Sequence, residues 1–130
     1  MRGNEIVDIR ELTTQVEAFI ADMGWSGPQS PWPRTPRNLA TSVVIEAAEL
    51  LQHFQWGDEV ADPDALGAEM ADVLIYLLQL AVVTGIDLEA ATVAKLARNR
   101  QRFSSLKNRR DAEDAEKELE TRFWSQSTSD

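Results

Sequence analysis

Two stretches of the chain decide the fold: EAAELLQHFQW (residues 46–56) and EMADVLIYLLQLA (residues 69–81). In both, apolar residues recur at intervals of three and four, which is the spacing of one face of an α-helix. Nothing in the chain alternates between apolar and polar residues with a period of two, so the sequence indicates no β-strand. The sequence therefore predicts an all-α protein built as a four-helix bundle.

Capping and turn residues set the limits of the four predicted helices. Thr and Asp side chains can cap a helix, proline is tolerated at the first helical position, and glycine commonly ends a helix. The predicted helices are residues 5–23; Pro36 to about Trp56, capped by Thr35 and stopped by Gly57; Pro63–Thr84, capped by Asp62 and stopped by Gly85; and a last one, capped by Asp87, to about Phe103.

A change in composition beyond Ser104 predicts a division of the chain. From there the sequence is heavily charged, and Leu119, Phe123 and Trp124 are its few apolar anchors. We therefore expect a folded domain over residues 1–106 and a charged C-terminal tail over residues 107–130, partly helical or disordered.

The composition of the 130-residue chain excludes several classes of function. Lys and Arg total 13 against 22 Asp and Glu, and this net charge of −9 argues against nucleic-acid or anionic membrane partners. The absence of cysteine excludes disulfides, thiolate metal sites and a cysteine nucleophile. A single histidine, His53, excludes a metal site built from several histidines.

Neither a leader peptide nor a membrane span is expected. The N-terminus MRGNEIVDIREL has no apolar region. The most apolar run, residues 73–83, is interrupted by Gln79 and is shorter than the ~20 residues that a membrane span needs. We therefore expect a cytoplasmic protein.

Four carboxylates interrupt the apolar pattern of the two central helices. Glu46 lies on the apolar stripe of its helix, and Glu49 lies on the same side one turn later. Glu69 and Asp72 repeat this spacing on the next helix. Antiparallel packing of the two helices could bring all four together, and such a cluster requires a counter-cation or raised pKa values. Oxygen ligands alone favour Mg²⁺ or Mn²⁺ over Zn²⁺.

Other residues could bind a nucleotide beside such a metal site. One polar row at helical spacing could face a phosphate, and aromatic faces could stack on a base. Hydrogen bonds to the base edge would come from the loop over residues 24–38. The candidates are Lys95, Asn99 and Arg102 for the phosphates; Trp32, Trp56 and Tyr76 for stacking; and Arg34, Thr35 and Asn38 for the base edge.

These motifs resemble those of the MazG-like all-α nucleoside triphosphate pyrophosphohydrolases. The hallmark of that family is ExxE on one helix and ExxD on the next, as in the two central stretches. PRNLATSVVIEAAEL (residues 36–50) and KLARNRQRF (residues 95–103) are similar to its small dCTP-pyrophosphatase branch. The resemblance covers about residues 5–103.

The resemblance implies hydrolysis of a (deoxy)nucleoside triphosphate, first dCTP or a modified dCTP, to the monophosphate and pyrophosphate. It implies Mg²⁺, with Mn²⁺ as a substitute, and a homodimer or homotetramer. By position, the metal ligands of the family match Glu46, Glu49, Glu69 and Asp72, and one of these would orient or deprotonate the attacking water. The family's nucleotide contacts match Tyr76, Lys95 and Asn99, and Arg102 could contact the polyphosphate beside them. The aromatic residues of the base pocket match Trp32 and Trp56.

The chain departs from that branch at two places. Where the relatives usually have a histidine before the second helix, this chain has Arg34 or Thr35 nearby. The sequence that follows Arg102 continues with Phe103 and Ser104 instead of Tyr and Pro.

Two alternatives remain open. A dUTPase-like pyrophosphatase of the same superfamily would differ only in its base pocket. A non-enzymatic helical oligomerisation or adaptor protein would use the carboxylates to pair with Lys and Arg across a subunit interface. Release of pyrophosphate, with and without Mg²⁺, from a panel of nucleotides separates these possibilities.

Overall fold

The computed structural model describes residues 6–127, which form four α-helices and no β-strand. The prediction of an all-α, four-helix protein is therefore confirmed. Glu5, the first residue of the first predicted helix, lies outside the described residues. The helices are α1 (Ile9–Asp22), α2 (Pro36–Gln52), α3 (Pro63–Thr84) and α4 (Leu88–Ser127).

The predicted caps of α2 and α3 are confirmed. The Thr35 hydroxyl accepts a hydrogen bond from the backbone N–H of Asn38, and the Asp62 carboxylate accepts one from Ala65 at 3.0 Å. Gly85 ends α3 with a φ of 67°, a left-handed conformation that glycine adopts without steric cost.

The limits of the first two helices differ from those predicted at the start of the first and the end of the second, and by one residue at the end of the first. The first helix starts at Ile9, because the Asp8 carboxylate accepts a hydrogen bond from the Glu11 N–H, and it ends at Asp22. The second helix ends at Gln52, before the predicted limit of Trp56, because residues 53–56 form turns.

The fourth helix continues to Ser127, far beyond the predicted end at Phe103. No glycine or proline follows Phe103, and the Glu, Lys and Arg residues that dominate this part are good helix formers. The change in composition therefore marks where the helix becomes polar, and the helix continues through it.

The chain divides into two compact units, one up to Glu89 and one from Ala90 onwards. In the first unit, α3 packs against α2 and against α1. The second unit consists of the remainder of α4. Division of the chain at residue 106 stays a prediction.

The apolar core of the first unit is small. Among the described residues, the buried apolar side chains are Ile20, Leu39 and Leu78. Large apolar side chains elsewhere on α2 and α3 stay accessible; they include Val44, Ile45, Leu51, Met70 and Leu74. The two central helices therefore present apolar surface that the first unit itself leaves uncovered.

Helix α3 is long and apolar enough to cross a membrane by length and composition. This is weak evidence for a span, since the core helix of a soluble protein meets the same criterion. Here α3 packs against two other helices and carries Glu69 and Asp72.

Candidate active site

Three carboxylates of α2 and α3 converge. One oxygen each of Glu46, Glu49 and Glu69 lies within 4.8 Å of the other two. Arg34, just before α2, contacts Gln79 near the end of α3, whereas Glu46 lies beside Glu69 nearer its start. The two helices are therefore antiparallel, and this direction brings the two acidic motifs together.

Asp72 lies close enough to this cluster for its charge to act on Glu46. Its side chain is exposed, as is that of Glu49, whereas Glu46 and Glu69 are half-buried. The cluster therefore has a sheltered side and an open side, and the open side is where a phosphate group could approach.

The charges that act on Glu46 in the cluster are all negative. Burial raises the pKa of Glu46 above its ordinary value of 4.5, and the charge of Glu49 and a side-chain hydrogen bond with it raise the pKa further. The charges of Asp72 and Glu69 act in the same direction. Among the described residues, the buried side-chain oxygens without a hydrogen-bond donor are Glu46 Oε2 and Glu69 Oε2. Within the same part of the chain, the ion pairs found do not include these carboxylates.

The donor set fits a hard divalent cation. Buried carboxylate oxygens are costly unless they are paired with a donor or bound to a cation, and Glu46 and Glu69 each have one such oxygen. With the exposed Glu49 they form a cluster of three carboxylates without sulfur or imidazole. Mg²⁺ and Mn²⁺ prefer this all-oxygen set. Glu46, Glu49 and Glu69, with Asp72 beside them, are the residues that could hold the ion.

The loop before α2 is fixed by Arg34. Its Nε donates to Gln79 Oε1 at 3.1 Å, and its two terminal nitrogens donate to the two oxygens of Glu17 on α1. Asn38 also holds the loop through a hydrogen bond, since its Nδ2 donates to the Pro33 carbonyl at 2.9 Å. Both residues were predicted to contact a base edge, and that role stays a prediction.

The aromatic candidates differ in their surroundings. Trp32 is 70% exposed, although its ring meets the edge of Trp25 at 6.3 Å between centroids. Trp25 in turn meets Phe19 of α1 at 5.8 Å between ring centroids, so its ring packs between the loop and α1. Trp56, in the turn after α2, is 92% exposed. Both Trp32 and Trp56 therefore have free ring faces.

Tyr76 is half-buried on α3, one turn after Asp72. Residues four apart on a helix share a face, so its side chain continues the row that Glu69 and Asp72 begin. Thr35, the third predicted base-edge candidate, caps α2 with its hydroxyl.

The phosphate-binding candidates lie on α4, in the second unit. Lys95, Asn99 and Arg102 are spaced as i, i+4 and i+7 and therefore share one face of the helix. Lys95 is exposed, Asn99 is half-buried, and the Arg102 guanidinium lies 5.5 Å from the centre of the Phe103 ring. Their role toward a nucleotide stays a prediction.

Two residues of the site region were missed by sequence reasoning. Gln79 had left a signal, because it is the polar residue that interrupts the most apolar run of the chain. Glu17 lies one turn before the buried Ile20 on α1, and a carboxylate on that side of a helix needs a partner.

Comparison with known proteins identifies the family of the chain. The sequence model of the MazG-like family matches residues 41–121. The chain is 37% identical over 105 residues to dCTP pyrophosphatase 1 of Rattus norvegicus, covering 74% of this chain and 57% of that protein. It is 38% identical over 88 residues to the dATP/dGTP diphosphohydrolase of cyanophage S-2L, covering 68% of this chain and 73% of the phage protein.

A solved structure is also similar to this chain. The crystal structure of a pyrophosphatase from Archaeoglobus fulgidus matches with a TM-score of 0.59 and 35% identity, over 73% of this chain and 91% of that one. The chain belongs to the MazG-like family, and the resemblance inferred from its motifs is confirmed. It spans a little over half the length of the dCTP pyrophosphatases that it matches.

Proposed function

We propose that this protein hydrolyses a deoxynucleoside triphosphate, with dCTP or a modified dCTP as the first candidate, to the monophosphate and pyrophosphate. One observation carries the proposal: three carboxylates meet, and two of their buried oxygens have no hydrogen-bond donor in the described part of the chain. Relatives named dCTP pyrophosphatase and dATP/dGTP diphosphohydrolase support the reaction class. Such an activity removes unwanted nucleotides from the cellular pool.

Mg²⁺, with Mn²⁺ as a substitute, is the cofactor that this donor set favours. When bound, the ion would supply a positive charge for the polyphosphate and lower the pKa of an attacking water. Glu46, Glu49, Glu69 and Asp72 are the proposed ligands, and a carboxylate oxygen of this set would orient the water and accept its proton. Lys95 and Arg102 would offset phosphate charge, and Asn99 would donate a hydrogen bond.

The nucleoside part would be bound by aromatic stacking. The exposed faces of Trp32 and Trp56, with Tyr76 between the acidic row and Gln79, offer surfaces of the required kind. Stacking accepts every base, so discrimination among bases requires hydrogen bonds to the base edge. A purine deoxynucleotide is the second candidate, because the phage relative is named for dATP and dGTP.

We also propose that the protein works in the cytoplasm as a homodimer or homotetramer. The support is the apolar surface of α2, where Val44 and Leu51 are both 69% exposed within a single chain. Burial of such side chains against a second copy would be favourable by about 25 cal/mol for each Å² of apolar surface removed from water.

The test is pyrophosphate release from a panel of deoxynucleotides and ribonucleotides, with Mg²⁺, with Mn²⁺ and with a chelator. The proposal expects metal-dependent release with the highest kcat/KM for dCTP or a modified dCTP. Highest activity on dUTP would favour the dUTPase-like alternative. No release from any nucleotide, under conditions where the chain is folded, would overturn the proposal in favour of an adaptor.

A further inference from the structure

Two polar rows run along the helices that carry the acidic cluster. Their members recur every three or four residues, so each row lies on one face of its helix. The α2 row is Asn38, Ser42, Glu46 and Glu49, and the α3 row is Glu69, Asp72, Tyr76 and Gln79. Because the helices are antiparallel, the ends of both rows that are remote from the cluster lie at the same end of the helix pair.

The α3 row ends in a buried polar side chain. Gln79 is 3% exposed, and a buried amide in an apolar helix is costly unless its hydrogen bonds are made. Its Oε1 accepts from Arg34 Nε at 3.1 Å. The Arg34 guanidinium then forms a two-pronged ion pair with Glu17, and the two side chains are 15% and 32% exposed. Three nitrogens of this guanidinium are therefore already engaged within the protein.

The α2 row ends at the same loop. Asn38 Nδ2 donates to the Pro33 carbonyl at 2.9 Å, and the Ser30 hydroxyl both donates to the Trp32 carbonyl and accepts from its N–H. Residues 30–35, which we name the Trp32 loop, are thus tied to α1, α2 and α3.

The Trp32 loop lies at a useful distance from the acidic cluster. Asp72 and Gln79 are seven residues apart on one face of α3, which at 1.5 Å per residue is about 10 Å. This is the separation that an extended nucleotide spans between its phosphates and its base. A nucleotide whose phosphates lie at the carboxylates and which extends along these rows would bring its base to the exposed ring of Trp32.

We propose that Glu17, Arg34 and Gln79 form a positioning network for the nucleoside end of the substrate. Arg34 fixes the Trp32 loop against α1 and α3, and it acts through the position of Trp32 without contacting the base. This inference rests on the proposed function, and it assigns Arg34 a different role from the base-edge contact expected from sequence.

The test uses variants that break the network without touching the cluster. Glu17→Gln removes the charge that pairs with Arg34, and Gln79→Met removes the acceptor while keeping the side-chain length. Glu11→Gln is the matched control, because Glu11 is an exposed carboxylate of the same helix that accepts only from Gln15 in its described side-chain contacts. We expect both network variants to raise KM for dCTP about tenfold with kcat changed less than about twofold, as loss of positioning for binding predicts.

A double-mutant cycle separates positioning from direct contact. If Arg34 acts through Glu17, the effects of Glu17→Gln and Arg34→Gln on KM are strongly non-additive. If Arg34 contacts the base, Arg34→Gln raises KM whereas Glu17→Gln leaves it unchanged, and that result would overturn the proposal.

Tryptic cleavage gives a readout that does not need turnover. The Arg34–Thr35 bond lies in the Trp32 loop, so Glu17→Gln should speed its cleavage relative to wild type and to Glu11→Gln. Added dCTP with Mg²⁺ should protect this bond in wild type and protect it less in Glu17→Gln. If wild-type protein releases no pyrophosphate, the proposed function is overturned. The cleavage and protection measurements then test the positioning network separately, because they do not require turnover. Equal cleavage and equal protection in all three proteins would overturn the network.

Discussion

Glu46 stands where an apolar residue would pack, between the half-buried Val43 and Leu50 on α2. Burial and three neighbouring negative charges raise its pKa, so the metal-free protein keeps a destabilising group at this position. A residue retained at such a cost is typical of a functional site.

Glu46→Gln should strongly reduce catalysis without weakening the metal-free fold. Glutamine keeps the shape and removes one charge from the cluster, so we expect kcat/KM to fall by at least about tenfold, together with an unchanged or higher Tm in chelator. Glu59→Gln, at an exposed position outside the cluster, is the control. Activity close to that of this control would remove Glu46 from the proposed metal site.

The raised pKa of Glu46 has a defined effect on stability. The folded state holds the Glu46 proton at pH values where the unfolded state, with a pKa near 4.5, has lost it. The contribution of Glu46 to the free energy of unfolding is therefore present below pH 4.5, and it is lost as the pH rises through the raised pKa of the folded state. In chelator, the Tm of Glu46→Gln minus that of wild type should grow as pH rises across this range. A difference that is constant with pH would show that the pKa of Glu46 is not raised.

At the scale of the helix, sequence predicted what local chemistry determines. Thr35, Asp62 and Gly85 act on their own neighbours within a few residues, so the beginnings of α2 and α3 and the end of α3 were predicted correctly. The end of α4 was wrong, because no breaker follows Phe103 and charged residues continue a helix readily.

The same distinction holds for the site. The acidic cluster could be predicted because two i, i+3 carboxylate pairs interrupt apolar helices, and antiparallel packing then brings Glu46 and Glu69 together. In the network, Arg34 lies 17 positions from Glu17 and 45 positions from Gln79. The polar Gln79 interrupts an apolar run, but nothing local identifies Arg34 as its partner. Tertiary packing alone creates the network.

Removal of residues 107–130 tests the polar part of α4. The four carboxylates and the Trp32 loop all lie in the first unit, so a chain that ends at Leu106 should keep metal-dependent pyrophosphate release within about twofold of the full chain, because few buried contacts are lost. Circular dichroism would establish that the shortened protein is folded. Loss of both activity and oligomer would instead identify the exposed Phe123 and Trp124 as interface anchors.

At the scale of the whole molecule, the small core and the exposed apolar side chains support the proposed self-association. Leu51→Glu should shift the protein from a dimer or tetramer toward the monomer, because a carboxylate at a buried interface loses its hydration. Gln52→Glu is the control, since it adds the same charge at the adjacent exposed residue. Light scattering after size exclusion gives the mass of each variant. A wild-type protein that is monomeric at all concentrations would contradict this prediction.

The raised pKa of the Glu46 carboxyl group also means that binding of a divalent cation at the cluster would release protons. A carboxyl group must be deprotonated to become a ligand, so a raised pKa in the metal-free protein increases the number of protons that cation binding displaces. Uptake of a divalent cation would therefore acidify an unbuffered solution. In calorimetry the measured heat would depend on the ionisation enthalpy of the buffer, in proportion to the protons displaced. The affinity of the cluster for the cation would therefore increase as the pH rises.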